Sequence, residues 1–569
     1  MENTQLNGDV NHRKAGRALS SAVSVTVADL SPLHRARLEY FPRLPPILKG
    51  AFGWREGEPT NSADDAEEIK GYFPNLYGQP PVFIAPNRGG PVTIGKTLRV
   101  GVVLSGGPAP GGHNVISGLF DYLYNRNRDS VLFGFLNGPS GIIKNNYVQL
   151  DEERIYPYRN QGGFHIIGSD RTKIETPEQF EKVDETVRKL DLDGLVVIGG
   201  DDSNTNAAIL AEHFVAQKMK TKVIGVPKTI DGDLRNEFVE TSFGFDTAVK
   251  VYSELVSNLG YDAISAKKSW HFCRLMGRSA SHITLEVALQ THPNMALIGE
   301  EVMEKKQTLT QVTRSIADLI VERATMGKNF GVILLPEGLV EFMPDVDKLI
   351  LELNEILAGG HLEEDQIIPK LTEQSSYLFR SLPPLIAKQL TLDRDPHGNV
   401  QVSKIESERL LIQMVSEELK ERKKAGLASC SFSPIPHFFG YEGRCSLPSN
   451  FDCNYCYTLG HTAGALIEGG RTGLVATVRH LTKSPEQWVV GGYPLTVMMD
   501  IERRKGKNVP VIKKALVDLK GEAFRIFSEQ RGSWRLTEDY RCPGPIQHFG
   551  PMADSINFTL MSEARDTVA

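Results

Sequence analysis

Three short stretches of this chain combine glycine with residues that could bind phosphate or move a proton. Ser105–Asn114 (SGGPAPGGHN) is a glycine-rich loop, and Gly199–Asn204 (GGDDSN) places two adjacent aspartates behind a double glycine. Pro227–Asp233 (PKTIDGD) sets a lysine beside two more aspartates. Glycine lets backbone N–H groups approach phosphate oxygens, carboxylates suit Mg2+ at a phosphate site, and a nearby carboxylate can take a proton from a hydroxyl nucleophile. Together the three stretches indicate phosphoryl transfer.

Each stretch also has a purely structural interpretation. The glycine-rich loop is compatible with a tight turn that serves only packing, and it is not a Walker loop because no Gly-Lys-Ser/Thr follows. Asp202 or Ser203 is a suitable N-cap for a following helix, and an isolated Asp231-Gly232-Asp233 is typical of a turn. The argument for a phosphate site is the presence of all three stretches in one chain.

The three stretches follow predicted strands, which gives them a common place in the fold. Apolar runs at Leu98–Leu104, Leu195–Ile198 and Val223–Val226 predict buried strands. Helical patterns follow two of the loops, at Asn114–Asn125 and at Ser203–Gln217, the second strongly amphipathic. Strands alternating with helices predict an α/β fold of parallel sheets flanked by helices. Because ligands bind outside the carboxyl ends of such strands, we expect the three stretches to converge there.

The order of the predicted elements divides the chain into two Rossmann-like lobes with additions. Residues 1–95, rich in Pro, Gly and Asn, are interpreted as an N-terminal extension that wraps the core, and 96–245 as the phosphate-binding lobe. Residues 246–456 are the predicted second lobe with a charged helical insertion at about 340–425, and 457–569 is an α/β segment that returns in part to the first lobe. The remaining predicted elements are the strands Val131–Phe135, His271–Leu275 and Gly331–Leu335 and the helices Phe180–Leu190, Asp345–Leu357 and Ser407–Lys424.

Composition limits the class of protein. A chain of 569 residues, 40% hydrophobic and 24% charged, is typical of a globular protein with more than one core, and its net charge of -6 argues against a general nucleic-acid binder. Six cysteines with a single CxxC, Cys453–Cys456, predict reduced thiols rather than a zinc site or a disulfide framework. No run reaches the ~18 apolar residues of a membrane span, and the N-terminus lacks the apolar core of a secretory signal. We therefore expect a cytoplasmic protein without nucleic-acid or membrane partners.

Five motifs, in this order, resemble those of the phosphofructokinase family. They are Gly106-Gly107…Pro110-Gly111, Gly199-Gly200-Asp201, Thr229-Ile230-Asp231-x-Asp233, Met276-Gly277-Arg278 and Gly440-Tyr441-Glu442-Gly443-Arg444. The resemblance covers about residues 100–460 and is greatest to the long, pyrophosphate-dependent type, represented by the catalytic β subunit of the plant enzyme. It implies reversible phosphoryl transfer from pyrophosphate to the 1-hydroxyl of fructose 6-phosphate, giving fructose 1,6-bisphosphate and phosphate.

The resemblance also implies a role for each matching residue. Asp231 would take the proton from the sugar hydroxyl, with Thr229 nearby, and Asp201 would hold Mg2+. The residues implied for pyrophosphate are Gly106, Gly107, Arg171 and Lys228. Those implied for the sugar substrate are Thr229, Ile230, Asp231, Lys268, Met276, Gly277, Arg278, Glu337, Tyr441, Glu442, Gly443 and Arg444. Lys268 is expected to reach the sugar phosphate of a neighbouring subunit.

Some residues near the motifs have other interpretations. Asp233 fits either a second catalytic-loop carboxylate that orients Mg2+ or Arg278, or a residue that holds its loop by accepting backbone N–H bonds. Ser269 and Ser279 depart from the family pattern, in which an aromatic residue and a lysine are more usual. The histidines near the motifs, His113, His165 and His282, are interpreted as packed or hydrogen-bonding residues rather than catalysts.

Two positions bear on the identity of the phosphoryl donor. In the ATP-dependent members of the family both are glycine, whereas this chain has Asp202 and Lys228. A carboxylate at position 202 would crowd and repel the α-phosphate of ATP. Lys228 could stabilise charge on the phosphates of the smaller donor. The pair therefore favours pyrophosphate, with both residues counted among the catalytic ones.

Three other functions are compatible with parts of this pattern. An ATP-dependent phosphofructokinase would differ in its donor, and a non-catalytic regulatory subunit should lack the base or the metal ligand that Asp231 and Asp201 supply. A general sugar-phosphate-binding protein would not account for Lys228 beside two carboxylate loops. The resemblance further implies a sugar site shared between subunits, hence at least a dimer, and allows a heterotetramer with a related regulatory α subunit. Fructose 2,6-bisphosphate is an implied effector.

Overall fold

The predicted strands form two main sheets. The computed structural model describes residues 26–87, 95–358, 360, 362–392, 400–504, 507–544 and 556–563, so residues 1–25 and 88–94 of the predicted N-terminal extension lie outside the described residues. The strands are β1 (Phe52–Glu56), β2 (Val82–Pro86), β3 (Arg99–Leu104), β4 (Val131–Phe135), β5 (Tyr147–Leu150), β6 (Gly194–Gly199), β7 (Lys222–Thr229), β8 (Phe243–Gly244), β9 (Trp270–Leu275), β10 (Met295–Ala296), β11 (Gly331–Pro336), β12 (Pro434–Phe439), β13 (Leu474–Arg479), β14 (Val489–Pro494), β15 (Met499–Arg504) and β16 (Lys507–Ile512).

Helices occupy most of the sequence between the strands. The α-helices are α1 (Pro32–Arg37), α2 (Ala66–Tyr72), α3 (Gly112–Arg126), α4 (Pro139–Ile143), α5 (Glu152–Ile155), α6 (Pro177–Lys189), α7 (Asp201–Ala216), α8 (Phe245–Ala266), α9 (His282–Thr291), α10 (Gly299–Glu304), α11 (Leu309–Thr325), α12 (Pro344–Ile356), α13 (Glu364–Ile367), α14 (Glu373–Ser381), α15 (Pro384–Leu392), α16 (Ser407–Lys424), α17 (Tyr441–Arg444), α18 (Asn450–Glu468), α19 (Glu522–Trp534) and α20 (Phe558–Ser562). Short 3-10 helices occupy Val27–Asp29, Pro46–Lys49, Tyr156–Tyr158, Leu339–Phe342, Ile368–Lys370, Val402–Lys404, Pro485–Gln487 and Leu495–Met498.

Ten strands of the described residues form one mixed sheet, in the order β1-β2-β14-β13-β7-β6-β3-β4-β5, with β8 paired to β7. The central strands β13, β7, β6, β3 and β4 are parallel, and the pairs nearer the two edges are antiparallel. Val102 and Leu104 of β3 enter one apolar cluster, whereas Val103 enters another. Successive side chains of a strand point to opposite faces, so both faces of this sheet are buried, as its apolar runs predict.

The second sheet is parallel and has the order β10-β11-β9-β12. Cys273 and Leu275 of β9 enter the cluster that covers one face of the large sheet, so the two sheets share a core. Trp270 and Phe272, on the other face of β9, pack with Leu349 and other apolar residues of helices α12, α14, α15 and α16. The helices between β11 and β12 therefore cover the outer face of the smaller sheet.

Helices α3 and α18 pack at very short distance because each contributes a glycine to the contact. A Cβ on Gly118 of α3 would lie 2.3 Å from the carbonyl oxygen of Tyr457, and a Cβ on Gly460 of α18 would lie 2.2 Å from that of Val115. Neither position has room for a side chain. Since α3 follows the glycine-rich loop directly, this contact fixes the position of the helix at the end of that loop.

The α/β fold class predicted from the sequence is confirmed, with sheets that are mixed at their edges. One local interpretation is wrong: α7 begins at Asp201, with Gly200 as its N-cap and no side-chain cap, so neither Asp202 nor Ser203 caps it. This helix is also less amphipathic than predicted, because Asn204–Ala208 is buried along its whole length.

The six cysteines all lie in the described residues and none forms a disulfide. Cys453 and Cys456 are buried in the first turns of α18. Among the helices that the structure describes, none is long and apolar enough to cross a membrane.

Replacing Gly460 by Ala tests the contact between α3 and α18. The added methyl group must push the two helices apart, and overpacking of this kind costs about 1–3 kcal/mol. We expect a lower urea midpoint and a lower melting temperature by circular dichroism. Gly532→Ala in α19 is the matched control, since a Cβ there meets nothing within 4 Å. Equal stability of the two variants would contradict this account of the packing.

Candidate active site

The predicted motifs lie at the carboxyl ends of parallel strands in both sheets. In the large sheet they follow β3, β6 and β7, and in the smaller sheet they follow β9, β11 and β12. The two sets of loops are close together. Asp231 after β7 is near enough to Glu337 after β11 and to Arg444 after β12 for their charges to shift its pKa. The sheets therefore bring loops from distant parts of the chain to one site, at the edge where α/β sheets bind ligands.

The glycine-rich loop after β3 faces three cationic side chains. A Cβ on Gly106 would lie 3.3 Å from Nζ of Lys228. A Cβ on Gly107 would lie 3.4 Å from Nη1 of Arg444 and 3.7 Å from Nη2 of Arg171. Two successive glycines therefore leave space for an anion between the loop backbone and the cations.

Gly106 and Gly107, the first two glycines of this loop, contribute differently to the site. Gly106 has a φ of 86°, in the left-handed region that favours glycine, and its N–H donates to the carbonyl of Asp170 at 2.8 Å. It therefore shapes the turn. Gly107 is the better placed of the two for a backbone contact with phosphate.

Lys228, near the end of β7, is a buried cation. Burial is the main cause that lowers the pKa of Lys228 to about 8, the carboxylates of Asp231 and Asp201 oppose the decrease, and the guanidinium groups of Arg171 and Arg444 add to it. A lysine with this pKa is still mostly protonated at pH 7. The chain thus holds a desolvated positive charge beside the glycine loop.

Asp231 and Asp233 lie on the turn that follows β7. The N–H of Asp231 donates to Oγ1 of Thr229 at 3.1 Å, which fixes the start of the turn. Burial raises the pKa of Asp231, the Glu337 carboxylate raises it further, and Arg444 and Lys228 oppose the increase. Burial, together with the charges on Asp231 and Asp201, raises the pKa of Asp233 to about 6. Carboxylates with raised pKa values are suited to accept a proton from a hydroxyl group.

The loops after β9 and β11 interlock. The N–H of Glu337 donates to the carbonyl of Leu275 at 2.8 Å, and the N–H of Gly277 lies 3.4 Å from Oε2 of Glu337. A Cβ on Gly338 would lie 1.8 Å from the carbonyl oxygen of Arg278. These contacts hold the Met276–Arg278 loop and Glu337 as one unit.

The loop after β12 is braced by α8. The hydroxyl of Tyr252 donates to the carbonyl of Gly440 at 2.5 Å, and the N–H of Gly440 donates to Oε2 of Glu442 at 2.8 Å. The guanidinium of Arg444 lies 5.1 Å from the ring centre of Tyr441 and also faces Gly107. Arg444 is therefore next to both the predicted sugar loop and the predicted pyrophosphate loop.

The adjacent aspartates of the second stretch occupy the first turn of α7 and point to different surroundings. Asp201 is partly buried, and its Oδ2 lies 3.6 Å from Nζ of Lys514. The Asp202 carboxylate is about half exposed and pairs with Nζ of Lys173 at 3.1 Å. A helix N-terminus favours negative charge, which helps to accommodate both carboxylates.

Some predicted residues are placed differently from the rest. Lys268 is exposed just before β9, so the six-residue strand separates it by roughly 20 Å from the loop that begins at Met276. The side chains of Ile230 and Met276 are buried in the core, which leaves mainly their backbone for a ligand. Tyr441 is 70% exposed. Asp202 faces solvent and pairs with Lys173. The predicted residues that the structure brings together include Gly106, Gly107, Arg171, Asp201, Lys228, Asp231, Arg278, Glu337 and Arg444.

Two lysines at this site were not predicted from the sequence. Lys173 pairs with Asp202, and Lys514 donates to Oγ of Ser279 at 2.9 Å beside Asp201. Lys514 lies 235 residues from Ser279 in the chain, so no local motif could indicate it. Lys173, only two residues after Arg171, could have been noticed as a second cation of the same loop.

The residues present fit a Mg2+ ion that is bound together with phosphate. No cluster of three or more His, Cys, Asp or Glu side chains suitable for a metal occurs in the part of the chain that the structure describes. Mg2+ commonly takes only one or two carboxylates and completes its shell with substrate phosphates and water. Asp201, partly buried beside the glycine loop and within the field of Asp233, provides such an oxygen ligand.

Known proteins resemble this chain over nearly its whole length. The family model described as Phosphofructokinase matches residues 99–467. The chain is 56% identical to pyrophosphate--fructose 6-phosphate 1-phosphotransferase subunit beta 2 of Arabidopsis thaliana, covering 94% of both chains. It is 52% identical to pyrophosphate--fructose 6-phosphate 1-phosphotransferase of Porphyromonas gingivalis, covering 94% of this chain and 99% of the relative.

The fold has a counterpart among solved structures. A pyrophosphate-dependent phosphofructokinase from Nitrosospira multiformis aligns over 78% of this chain and 93% of its own, with a TM-score of 0.51 and 16% sequence identity. That likeness concerns the fold alone. On the match of the family model and on the identity to these full-length relatives, the chain belongs to the phosphofructokinase family.

Proposed function

We propose that this protein transfers a phosphoryl group reversibly from pyrophosphate to the 1-hydroxyl of fructose 6-phosphate, giving fructose 1,6-bisphosphate and phosphate. The observation that carries the proposal is the position of buried, cationic Lys228 between Asp231 and the Gly106-Gly107 loop. The names of the relatives that are 52–56% identical support the same reaction.

The chemistry follows from the two sides of the site. Asp231 accepts the proton of the sugar 1-hydroxyl, and the sugar oxygen attacks the nearer phosphorus of pyrophosphate. The bond from that phosphorus to the bridging oxygen breaks, and phosphate leaves. Lys228 and Arg171, whose cationic groups lie beside the loop, stabilise the negative charge on the transferred and leaving groups. In the reverse direction Asp231 returns the proton.

The remaining polar residues bind and orient the substrates. Mg2+, when bound, would neutralise charge on the phosphate oxygens, and Asp201 would hold it with Asp233 nearby. The interlocked loops that carry Arg278 and Glu337 would bind the sugar phosphate. Arg444 would contact both substrates, since its guanidinium faces the Gly107 loop as well as Tyr441.

The choice of pyrophosphate over ATP would depend on Asp202 and Lys228. Lys228 occupies the space above Gly106 and provides the charge that a short donor needs. Asp202 stands at the exposed start of α7, where its carboxylate would oppose the additional phosphate of a nucleotide. Its pairing with Lys173 reduces that opposition without removing it, because an exposed pair remains solvated.

The sugar site would be completed by a second subunit. Lys268 is exposed and lies at the opposite end of β9 from the loop of its own chain, so a neighbouring chain is the partner that it could reach. The plant relative is named a β subunit and the bacterial relative carries no subunit name. A homodimer or larger homo-oligomer and a heterotetramer with an α subunit are both compatible with this, as is regulation by fructose 2,6-bisphosphate. Unpaired cysteines suit the cytosol.

Replacing Asp231 by Ala tests the catalytic base. We expect kcat to fall by about 10²–10⁴-fold, because the hydroxyl loses its proton acceptor. The KM for pyrophosphate should change little. The measurement is a coupled assay of fructose 1,6-bisphosphate formation, with thermal melting as the check on folding. Asp129→Ala, at an exposed aspartate before β4, is the control. Near-normal turnover of Asp231→Ala would disprove the assignment.

Replacing Asp202 and Lys228 by Gly, one at a time, tests donor choice. Asp202→Gly should admit ATP, since it removes a repelling carboxylate and releases Lys173 from this pair. Lys228→Gly should mainly reduce turnover with pyrophosphate. The measurement is kcat/KM with each donor. In the double variant Asp202→Gly, Lys173→Met, the increase in kcat/KM for ATP should be smaller than in Asp202→Gly alone. Turnover of the wild-type protein with ATP and none with pyrophosphate would overturn the proposed donor.

The lowered pKa of Lys228 predicts a pH dependence. As pH rises through about 8, the buried ammonium loses its proton, so kcat/KM for pyrophosphate should fall on the alkaline side. Arginine keeps its charge in this range. Lys228→Arg, measured with the same substrate, should therefore move the alkaline limb to higher pH. An identical limb in both proteins would show that another group is responsible.

A further inference from the structure

Lys514, in the C-terminal part of the chain, contacts residues that follow strands of both sheets. Its Nζ donates to Oγ of Ser279 at 2.9 Å and lies 3.6 Å from Oδ2 of Asp201. Ser279 belongs to the loop after β9 in the smaller sheet, whereas Asp201 begins α7 beside the large sheet. One ammonium group therefore contacts both sides of the site.

The backbone around Lys514 is held at several points. Residues 513–517, which we call the strap, follow β16. The N–H of Lys513 donates to the carbonyl of Met498, and the N–H of Ala515 donates to the carbonyl of Asp233 at 2.8 Å. The carbonyl of Ala515 accepts a hydrogen bond from Nε2 of His282 at 2.9 Å, and the N–H of Val517 donates to Oε1 of Glu300 at 3.0 Å. The strap thus directs the lysine toward the catalytic turn rather than leaving it a mobile surface side chain.

The charges around Lys514 are those of the reaction. Its ammonium stabilises the ionised forms of Asp231 and Asp233, in addition to its contact with Asp201. Asp201 is the same carboxylate that would hold Mg2+. An ammonium group and a divalent cation repel each other at a shared carboxylate, whereas the same ammonium attracts an anionic donor.

We propose that Lys514 is a positioning residue of the donor site. Its ammonium pairs with Asp201 while the site is empty, gives up that carboxylate when a divalent cation binds, and then contacts pyrophosphate. This inference rests on the proposed function, because it assigns the lysine to the donor of that reaction. Its consequence is that the charge on Lys514 opposes metal binding and favours diphosphate binding.

Binding measurements on Lys514→Met test the proposal. Mn2+ alone is titrated into the protein and the free ion is counted by electron paramagnetic resonance. Pyrophosphate without metal is titrated by calorimetry. Removing the charge should tighten Mn2+ binding several-fold and weaken pyrophosphate binding about tenfold, the typical effect of one charged hydrogen bond. A merely structural role would weaken both ligands or neither.

Lys513 provides a matched control in the same strap. Its Nζ pairs with Asp64 at 2.5 Å, and its side chain is about half exposed away from the carboxylates of the site. Lys513→Met should leave both affinities unchanged, and Lys514→Arg should keep both close to the wild-type values. If Lys514→Met proves less stable on melting, Lys514→Gln removes the charge and keeps a donor for Ser279, and it should give the same two opposite shifts.

The outcomes separate this inference from the proposed function. The inference is supported if the affinity for Mn2+ rises and the affinity for pyrophosphate falls, and if this occurs only in the variants without a charge at position 514. Parallel loss of both affinities, no change in either, or the same shifts in Lys513→Met overturn it. The wild-type protein is assayed alongside for turnover with pyrophosphate, so that failure of the proposed reaction is recognised independently of the behaviour of Lys514.

Discussion

The compensation of the buried Lys228 charge by carboxylates is the interaction on which the site depends. A cation removed from water is costly unless opposite charges and hydrogen bonds replace its solvation. Here Asp231 and Asp201 provide this compensation, and burial still lowers the lysine pKa to about 8. The carboxylates depend on the cations in return, since burial and neighbouring carboxylates raise the pKa values of Asp231 and Asp233 and nearby cationic side chains oppose the increase. The end of β7, the start of α7 and the turn between residues 229 and 233 must therefore keep their present spacing.

That requirement explains several features of the surrounding backbone. The glycines after β3 bring a chain segment close to Lys228 and Arg444 without side chains between them. Gly338 lets the loop after β11 contact the carbonyl of Arg278 directly. In both arrangements, close backbone contacts fix the positions of the charged groups. Electrostatic catalysis depends on such groups being oriented before the substrate binds.

The sequence predicted those parts of the fold and site that depend on local patterns. Apolar runs such as Val223–Val226 indicated buried parallel strands, and the glycine and aspartate clusters at their ends indicated phosphate chemistry. Local patterns could not reveal that Asp201 begins its helix, because capping preferences pointed to Asp202 or Ser203. They could not reveal Lys514 either, because the neighbouring residue Ala515 holds that segment by a backbone hydrogen bond to Asp233 across a long chain separation. Pairings between remote strands, such as β2 with β14, are likewise set by the tertiary fold.

The order of strands in the large sheet has a consequence for how the protein is made. Among the described residues, the β1–β2 pair joins the sheet through β14, about 400 residues further along the chain. At about 5–20 residues per second, a ribosome needs on the order of 20–80 s to reach that strand after finishing β2. Throughout this interval the edge of β2 that pairs with β14 lacks its neighbour, and β7, once it has been made, lacks its neighbour β13 until that strand follows. The nascent chain thus exposes unpaired strand edges until β13 and β14 have been made, a period in which protection by chaperones has the most to contribute.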